Sequence, residues 1–360
     1  MKILIISNHS YMLYRFRKEL IQELKKEHEV VLSMPFVGHE KDFQAMGLKC
    51  IDTDVDRRGI NPKTDLKLFA VYRKLLKTER PDLVITYSIK PNVYAGIACS
   101  MFGIPFCANV QGLGTAFQKK GLAQFVTLLY RLAFRKVRTV FFENSANAKE
   151  FRQRNIIPAE KQTVLRGAGI DLLNYVPQPA PANTVPHFLY LGRIMREKGM
   201  DELFAAARRL HMEGETFVLD LVGFYEDAYK EQVEQLCADG IAVFHGFQEE
   251  PRPFYAAADC IVLPSYHEGM SNVLLEAAAM GRPVITSDFP GCREAVEDRK
   301  TGLLCPVRDA EGLYQAMKSF LAMDPVQWIA LGTAGRAKME REFDKAAVVS
   351  ETVKALRLAN

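Results

Sequence analysis

The chain has 360 residues, 48% of them hydrophobic, and this length exceeds what one hydrophobic core normally supports, so two domains are expected. No apolar run approaches the roughly 18 residues of a membrane-spanning helix, and the opening KILIIS is typical of a strand rather than a signal peptide, which favours a cytoplasmic protein. The seven cysteines are scattered without a CxxC pair, and no metal-ligand spacing occurs, which argues against a disulfide framework and favours chemistry without a metal.

The net charge of +4 is divided unevenly along the chain. Residues 1–175 carry 28 basic and 16 acidic side chains, a net charge of +12, whereas residues 176–360 carry 19 and 27, a net charge of −8. This asymmetry predicts that the first half meets an anionic surface or substrate. Solubilising charge without a partner is the alternative. No nucleic-acid partner is expected, because the sequence contains no recognisable reading module.

In the first half, short apolar runs alternate with amphipathic helical patterns, which predicts a parallel sheet wrapped by helices over residues 1–175. The elements are, in chain order, the strand KILIIS, a helix through RFRKELIQELKKE, the strand EVVLSMPF, a helix through DLKLFAVYRKLLKTER, and the strands DLVITYS, PFCANV and TVFFENS. Residues 176–186, VPQPAPANTVP, contain four prolines and predict a linker.

Residues 187–342 repeat the alternation and predict a second doubly wound domain. Its elements are the strand HFLYLGR, a helix over 201–210, the strand FVLDLVG, a helix near 227–238, the strand IAVFHGF, a short helix at PRPFYAAA, the strand CIVLPS, a helix over 271–280 and the strand PVITSD. A last helix within 343–360 is expected to pack back on the first domain. The ligand-binding edges of two such domains would face a central cleft.

The run LPSYHEGMSNVLLEA, residues 263–277, predicts a strand, a turn and a helix capped by Ser271 or Asn272. A helix N-terminus stabilises phosphate, so Glu276 would reach a ribose attached to that phosphate, and Glu268 the other end of the ligand. The amides expected to face the cleft are those of Gly269, Met270, Ser271 and Asn272. Solvated glutamates are the alternative, although the apolar neighbours of Glu276 argue against an idle carboxylate.

The run GRIMREKG, residues 192–199, follows the strand HFLYL. Gly192 permits a sharp turn out of the sheet, and Arg193 and Lys198 bracket a loop that could fold over a diphosphate. Two cations in this position would stabilise negative charge on a leaving nucleotide. A solvated basic turn is the alternative.

The order of GRIMREKG, FHGF, PSYHEGMSNVLLEA and GRPVITSDFPGCREAVEDRKTGLL resembles the donor domain of the retaining GT-B glycosyltransferases of family 4, over residues 187–310. The resemblance implies the GT-B fold, with two Rossmann-like domains, and a nucleotide-sugar substrate such as a UDP-sugar, without a cofactor or an essential metal. It implies that Arg193 and Lys198 hold the diphosphate and that Glu268 contacts the transferred sugar, these three being the catalytic set. Glu276 would then bind the ribose, and Phe247 would lie beside the nucleobase.

The first half is similar to a subgroup that extends lipid-linked saccharides, through TYSIKPN, NVQGLGTAF and FFENSANAKEF. Many members have a glycine pair after the first strand, where this chain has SNHS, and a histidine after a later strand, where it has Ser88 or Lys90. The residues expected on the acceptor or sugar side are Asn8, His9, Ser10, Ser88, Lys90 and Gln111. The resemblance implies a polyprenyl-diphosphate-linked saccharide as acceptor.

Residues 117–140 predict a basic amphipathic helix that could lie on the anionic inner face of the cytoplasmic membrane. Its apolar residues include Phe125, Val126, Leu128, Leu129, Leu132, Ala133 and Phe134, and its basic residues include Lys119, Lys120, Arg131, Arg135, Lys136 and Arg138. A core helix with a solvated basic face is the alternative.

The combined prediction is a retaining glycosyltransferase that moves a hexose or N-acetylhexosamine from a nucleotide to a lipid-linked saccharide. Two other functions fit the same architecture. A nucleotide-sugar epimerase would bind the donor without an acceptor, and a non-catalytic protein would only bind the nucleotide sugar.

Overall fold

The computed structural model describes residues 1–56, 61–113, 117 and 120–356, except for the side chain of residue 120. The chain forms two compact units, one containing Met1–Ala168 and the chain from Ala346 onward, the other Gly169–Lys345. The boundary between the two units therefore lies between Ala168 and Gly169, earlier than the boundary expected at residue 175. The proline-rich segment 176–186 lies within the second unit.

The first unit is built on a parallel sheet whose strands match the apolar runs of the sequence. Its strands are β1 (Lys2–Ile6), β2 (Glu29–Met34), β3 (Lys49–Asp52), β4 (Leu83–Tyr87), β5 (Phe106–Val110), β6 (Val137–Phe142) and β7 (Gln162–Val164). They lie in the order β3-β2-β1-β4-β5-β6-β7. The chain thus reverses its direction of winding between β1 and β4, which is the topological switch point of this sheet.

Helices cover both faces of this sheet. They are α1 (Ser10–Lys25), α2 (Glu40–Ala45), α3 (Pro62–Glu79), α4 (Gly96–Phe102), α5 (Lys120–Ala133) and α6 (Ser145–Gln153), with a π-helical turn at Pro91–Ala95 before α4. Alternate strand residues divide between two cores, as the period of two requires. Leu4 and Val84 pack with α3, α4 and α5, whereas Ile3 and Ile85 pack with α1 and α2 on the opposite face.

The second unit repeats this architecture with a six-stranded parallel sheet. Its strands are β8 (His187–Leu191), β9 (Val218–Val222), β10 (Ala242–Gly246), β11 (Cys260–Leu263), β12 (Val284–Ser287) and β13 (Gly302–Cys305), and its helices are α7 (Met200–Met212), α8 (Lys230–Ala238), α9 (Arg252–Ala257), α10 (Asn272–Ala279), α11 (Ala310–Leu321) and α12 (Pro325–Glu342). The order β10-β9-β8-β11-β12-β13 places the switch point between β8 and β11.

The last helix, α13 (Lys345–Leu356), returns to the first unit. Val348 and Leu356 join the core on the face covered by α1, and Arg138 donates to the Leu356 carbonyl oxygen at 3.1 Å. Residues 357–360, which the predicted terminal segment included, lie outside the described residues.

The segment 117–140 divides its apolar side chains between the core and the surface. Val126, Ala133 and Phe134 are buried in the core, whereas Phe125 and Leu128 are exposed on the outer face of α5. The inner face of α5 therefore packs in the core, and its outer face exposes apolar side chains. The core alternative and the membrane-surface alternative are compatible with each other. Lys119 and the side chain of Lys120 lie outside the described residues. Among the described residues, no helix is both long enough and apolar enough to span a membrane.

Arg282 holds the proline-rich segment against the second unit. The side chain is buried, and its guanidinium donates to the carbonyl oxygens of Gln178, Pro179, Tyr255 and Ala256 at 2.7 to 3.2 Å. Prolines cannot donate backbone hydrogen bonds, so a segment rich in them depends on donors from elsewhere.

Replacing Arg282 with Met should therefore destabilise the second unit. The variant leaves buried carbonyl oxygens without donors, and we expect a loss of about 2–4 kcal/mol in the free energy of unfolding, measured by urea denaturation. Arg299→Met is the matched control, because that side chain is 87% exposed, and it should change stability by less than about 0.5 kcal/mol. Equal stability of the two variants would contradict this role of Arg282.

Candidate active site

The carboxyl ends of β8 and β11 lie side by side in the second sheet. β8 pairs with β9 on one side and with β11 on the other. At such a switch point the loops that follow neighbouring strands diverge to opposite faces of the sheet and leave a crevice in which ligands bind. The run GRIMREKG follows β8, and the run PSYHEGMS follows β11. Both predicted motifs therefore meet at this crevice.

Gly192 begins the loop after β8 with a φ of +153°, and its N–H donates to the Val222 carbonyl oxygen at 2.9 Å. A Cβ atom at Gly223 would lie 1.8 Å from the Gly192 carbonyl oxygen, so the loops after β8 and β9 meet through backbone atoms alone. The Tyr190 hydroxyl donates to the Arg193 carbonyl oxygen at 2.6 Å, and burial raises the pKa of Tyr190 well above its usual value. These contacts fix the backbone that carries Arg193.

The Arg193 side chain is 43% exposed, and one of its NH groups donates to Glu226 at 3.1 Å. Glu226 follows β9, so this ion pair links two neighbouring loops. The guanidinium has further N–H donors that could meet an anion.

A close backbone contact joins the loop after β8 to the loop after β11. Gly199 has a φ of +76°, and a Cβ atom there would lie 2.2 Å from the Pro264 carbonyl oxygen. Next to this contact, the Tyr266 N–H donates to the Glu197 carbonyl oxygen at 2.9 Å. The two loops are therefore packed against each other through their backbones.

Lys198 and Glu268 form an ion pair across these two loops, through Nζ and Oε1. Only 16% of the Lys198 side chain and 14% of the Glu268 side chain are exposed. The structure thus brings together a cation and a carboxylate that lie 70 positions apart in the chain. Removing Lys198 or Glu268 would therefore break a largely buried ion pair.

The turn before α10 corrects one expectation about its amides. Ser271 is the N-cap residue, as predicted, but its side chain makes no capping hydrogen bond, and its N–H donates to the Gly291 carbonyl oxygen at 2.9 Å. The Ser271 amide is therefore occupied. The next amides, at Asn272 and Val273, begin the helix, where no carbonyl one turn earlier in the helix can accept from them. These first-turn amides are the ones that geometry leaves for an anion.

The loop after β12 supports this turn from the other side. Gly291 has a φ of +89°, and a Cβ atom there would lie 2.5 Å from the Glu268 carbonyl oxygen and 2.8 Å from that of Gly269. The Gly291 N–H in turn donates to Glu294 at 2.6 Å. Met270, in the same turn, is buried. The backbone at Glu268 therefore rests directly on a glycine of a third loop.

Glu276 lies inside α10 with only 6% of its surface exposed. Its Oε2 accepts a hydrogen bond from the Tyr255 hydroxyl at 2.9 Å, so the carboxylate is held by α9. A buried carboxylate among alanine and leucine side chains is costly unless polar partners compensate it. This environment favours a binding role over a solvated helix residue.

Aromatic side chains lie in the loops that follow β9, β10, β11 and β12. Phe247 follows β10, is 57% exposed, and lies edge-on to Phe224 with ring centroids 6.1 Å apart. Beside Glu268, the His267 ring packs edge-on against Phe289 at 5.3 Å. Burial, followed by the positive charge of Arg308, lowers the pKa of His267, which favours the neutral imidazole.

In the first unit, two of the predicted residues meet at the switch point of the sheet. The Ser88 hydroxyl, after β4, donates to the Asn8 side-chain oxygen, after β1, at 2.7 Å. Ser88 has a φ of +76°, a backbone conformation that non-glycine residues rarely adopt. His9 lies beside Asn8, and its N–H donates to the Ser7 hydroxyl at 3.2 Å.

The other predicted residues of the first unit have partners within the fold. Ser10 is fully buried, and its hydroxyl accepts from the Val37 N–H at 3.1 Å. Lys90 is paired with Asp65 at 2.7 Å, and Gln111 donates to the Met12 sulfur at 3.5 Å. Lys90 and Gln111 thus lie near the same sheet edge as Ser88, but each is held by a side chain of a neighbouring helix.

Two family models match the chain, one in each of its two units. The model described as "Glycosyl transferases group 1" matches residues 185–323, and the model described as "Glycosyl transferase 4-like" matches residues 2–144. The chain belongs to this glycosyltransferase family. The first match contains both loops of the crevice, from Gly192 to Gly199 and from Pro264 to Ser271.

Two glycosyltransferase relatives align with this chain over most of its length. The N,N'-diacetylbacillosaminyl-diphospho-undecaprenol alpha-1,3-N-acetylgalactosaminyltransferase of Campylobacter jejuni is 28% identical over 89% of each chain. The alpha-maltose-1-phosphate synthase of Mycolicibacterium smegmatis is 26% identical over 94% of this chain and 93% of its own. Among solved structures, Anabaena HepE in complex with UDP and glucose has a TM-score of 0.82, with 18% identity over 99% of each chain. This likeness establishes the GT-B fold.

Sequence reasoning missed several residues that position the site of this glycosyltransferase. Glu226 and Tyr255 hold the predicted residues Arg193 and Glu276, but they lie 33 and 21 positions away in sequence. Glu294 holds Gly291, whose loop supports the turn at Glu268. Gly223 carries a signal that could have been found, because it follows the strand FVLDLV as Gly192 follows HFLYL. Nothing near Tyr255 in the sequence marks it as a partner of Glu276.

Replacing Gly199 with Ala should destabilise the second unit more than the same replacement at a glycine of similar backbone conformation. The new Cβ atom would overlap the Pro264 carbonyl oxygen, so we expect a loss of about 2–4 kcal/mol in thermal or urea unfolding. Gly214→Ala measures the cost of the positive φ alone, because Gly214 has a φ of +83° and nothing lies within 4 Å of its Cβ position. This variant should lose about 1 kcal/mol in the free energy of unfolding. Similar losses for both variants would mean that the two loops are not closely packed.

Proposed function

We propose that this glycosyltransferase retains anomeric configuration and moves a hexose or N-acetylhexosamine from a UDP-sugar to a polyprenyl-diphosphate-linked saccharide, in the biosynthesis of a surface polysaccharide or glycan. The observation that carries the proposal is the Lys198–Glu268 ion pair at the switch-point crevice, beside the start of α10 and the buried Glu276. Each of these groups matches one part of a nucleotide sugar. The cations would bind the diphosphate, Glu276 would bind the ribose, and Glu268 would bind the sugar.

The donor assignment follows from charge and geometry. A diphosphate meets Arg193, Lys198 and the first amides of α10, all of which favour negative charge. A carboxylate accepts hydrogen bonds from hydroxyl groups, which suits Glu276 to a ribose diol and Glu268 to sugar hydroxyls. The HepE complex with UDP and glucose supports a UDP-linked donor. The exposed Phe247, beside Phe224, offers an apolar surface for the nucleobase.

In the proposed reaction, an acceptor hydroxyl attacks the anomeric carbon on the face from which the diphosphate leaves. The bond from the anomeric carbon to the phosphate oxygen breaks, the bond to the acceptor oxygen forms, and the acceptor proton passes to the leaving phosphate. Arg193 and Lys198 stabilise the negative charge that develops on the diphosphate. These two cations would perform the electrostatic role that a metal ion has in other transferases, so we propose a reaction without a metal or another cofactor.

The acceptor proposal rests on the relative that matches along nearly the whole chain. The Campylobacter jejuni enzyme is named for a diphospho-undecaprenol-linked acceptor. A lipid-linked acceptor requires the enzyme to work at a membrane surface, and we propose the inner face of the cytoplasmic membrane, in contact with the basic first unit. Asn8, His9, Ser88 and Lys90, at the switch point of the first sheet, are the proposed acceptor-side residues.

Lys198→Met and Glu268→Gln should each lower kcat/KM for sugar transfer at least about 100-fold, because each removes a charge from the reacting end of the donor. Transfer would be measured with a panel of UDP-sugars and a polyprenyl-diphosphate-linked saccharide. Lys230→Met and Glu234→Gln are matched controls, because this pair is exposed on α8 with an N–O distance of 3.7 Å, and both variants should keep wild-type turnover.

Incubation with the UDP-sugar alone distinguishes the competing functions. An isomerised nucleotide sugar would identify an epimerase, and donor binding without turnover on any acceptor would identify a binding protein. Wild-type activity in Lys198→Met or Glu268→Gln would remove that residue from the mechanism.

A further inference from the structure

A buried hydrogen bond joins α9 and α10 inside the second unit. The Tyr255 side chain is fully buried, and its hydroxyl group donates at 2.9 Å to Oε2 of Glu276, a residue that is only 6% exposed. The alanine and leucine side chains next to Glu276 in α10 have no polar group to offer. The hydrogen bond from Tyr255 therefore offsets part of the cost of keeping a carboxylate in this core.

Arg282 fixes the backbone of the residue that carries this hydroxyl group. Its guanidinium donates to the carbonyl oxygens of Tyr255 and Ala256 at 2.9 and 2.8 Å. Arg282 also lies just after α10, and its own N–H donates to the Ala277 carbonyl oxygen at 2.9 Å. One buried side chain thus joins α9 to the last turn of α10, and Tyr255 cannot move away from Glu276 without breaking these bonds.

The neighbouring side chain of α9 contacts the sheet. The Phe254 ring lies edge-on to the His245 ring, with the ring centroids 5.0 Å apart. His245 belongs to β10, and its Nε2 lies 2.7 Å from an oxygen of Asp220, on β9. α9 is therefore held by α10 on one side and by the sheet on the other, so the fold sets the position of the Tyr255 hydroxyl group.

A carboxylate that is held at one oxygen has lost much of its rotational freedom. A glutamate side chain has three dihedral angles, and ordering them costs conformational entropy. The contacts of Tyr255 restrict Oε2 of Glu276 through the fold, so less of this freedom is left to be lost when a ligand binds. A carboxylate of fixed orientation also presents its acceptor sites in fixed directions, which matches a ligand with two hydroxyl groups at a fixed separation.

We propose that Tyr255 is a positioning residue that makes the enzyme select ribonucleotide donors over deoxyribonucleotide donors, through the orientation of Glu276. The proposal rests on the proposed function, in which Glu276 binds the ribose diol. A carboxylate that cannot turn leaves an unpaired contact where one hydroxyl group is missing, so the analogue is rejected. A carboxylate released from Tyr255 can turn toward the hydroxyl group that remains, so the same analogue is tolerated better.

Nucleotide binding without any acceptor tests the proposal. The probes are UDP, 2′-deoxy-UDP and 3′-deoxy-UDP, and the dissociation constants are measured by isothermal titration calorimetry. The wild type should bind each deoxy analogue at least about tenfold more weakly than UDP, because a hydrogen bond to a charged group is lost. Tyr255→Phe and Glu276→Gln should each bind UDP more weakly than the wild type and reduce this preference to about threefold or less.

Sugar transfer gives a second readout that a purely structural role of Tyr255 would not produce. The ribose lies away from the bond that breaks, so Tyr255→Phe should raise KM for the UDP-sugar about fivefold or more and leave kcat within about twofold of the wild type. The variant keeps the aromatic ring and loses one hydroxyl group, so the fold should be retained, and thermal unfolding checks this.

Tyr314→Phe is the matched control. Tyr314 is also buried, and its hydroxyl group donates to Oε2 of Glu213 at 2.5 Å. α7 begins at the crevice and ends at Met212, so Glu213 lies at the far end of that helix. This variant removes the same group from a tyrosine–glutamate pair and should keep the wild-type KM and the wild-type preference for UDP.

The outcomes separate this proposal from the proposed function. A wild type that binds all three nucleotides equally would overturn the ribose contact of Glu276, and the role of Tyr255 with it. If Glu276→Gln loses the preference for UDP but Tyr255→Phe keeps it, the ribose contact stands and the role of Tyr255 is wrong. A wild type that rejects only one of the two deoxy analogues would also contradict a carboxylate held in one orientation.

Discussion

The candidate active site of the second unit depends on the packing of the loop after β8 against the loop after β11. Parallel strands that neighbour each other at the switch point bring these loops to one edge of the sheet, but adjacency alone leaves them free to separate. The contact between Gly199 and the Pro264 carbonyl oxygen removes that freedom, since no side chain fits between the backbones. The Lys198–Glu268 ion pair then spans a distance that the backbone has already set.

The contact between Gly199 and Pro264 also explains how several charged side chains lie close together in a largely buried site. Lys198 and Glu268 are each less than one-fifth exposed, and each offsets part of the desolvation cost of the other. Glu276 accepts a hydrogen bond from the neutral hydroxyl group of Tyr255. The site therefore contains a cation that can turn to a phosphate and carboxylates that can accept from hydroxyl groups.

Much of the second unit could be predicted from the sequence because its signals are local. Apolar strands followed by Gly192 or by the turn at Glu268 indicate loops at the carboxyl edge of a sheet, and the alanine-rich surroundings of Glu276 indicate burial. The GT-B fold and the glycosyltransferase family were predicted correctly on these residues. Short edge strands such as β3 and β7 were missed, because their sequences, KCID and QTV, are short and partly polar.

What the sequence could not reveal depends on contacts between distant residues. Nothing local to Ser271 indicates that its amide donates to Gly291, twenty positions later, so it was expected to face the ligand. Ser10 was placed on the acceptor side because it follows the first strand, yet a loop after β2 covers it through Val37. The sequence of α5 could not separate core from surface, because apolar side chains occur both on its inner face, as at Val126, and on its outer face, as at Phe125 and Leu128.

Hydrogen exchange of the wild-type protein, with and without a saturating UDP-sugar, tests the proposed donor site most directly. Amide exchange should slow in the segments 192–200 and 264–275, where the two loops and the first turn of α10 are proposed to contact the ligand. Ligand binding that leaves exchange in both segments unchanged would contradict the proposed donor site.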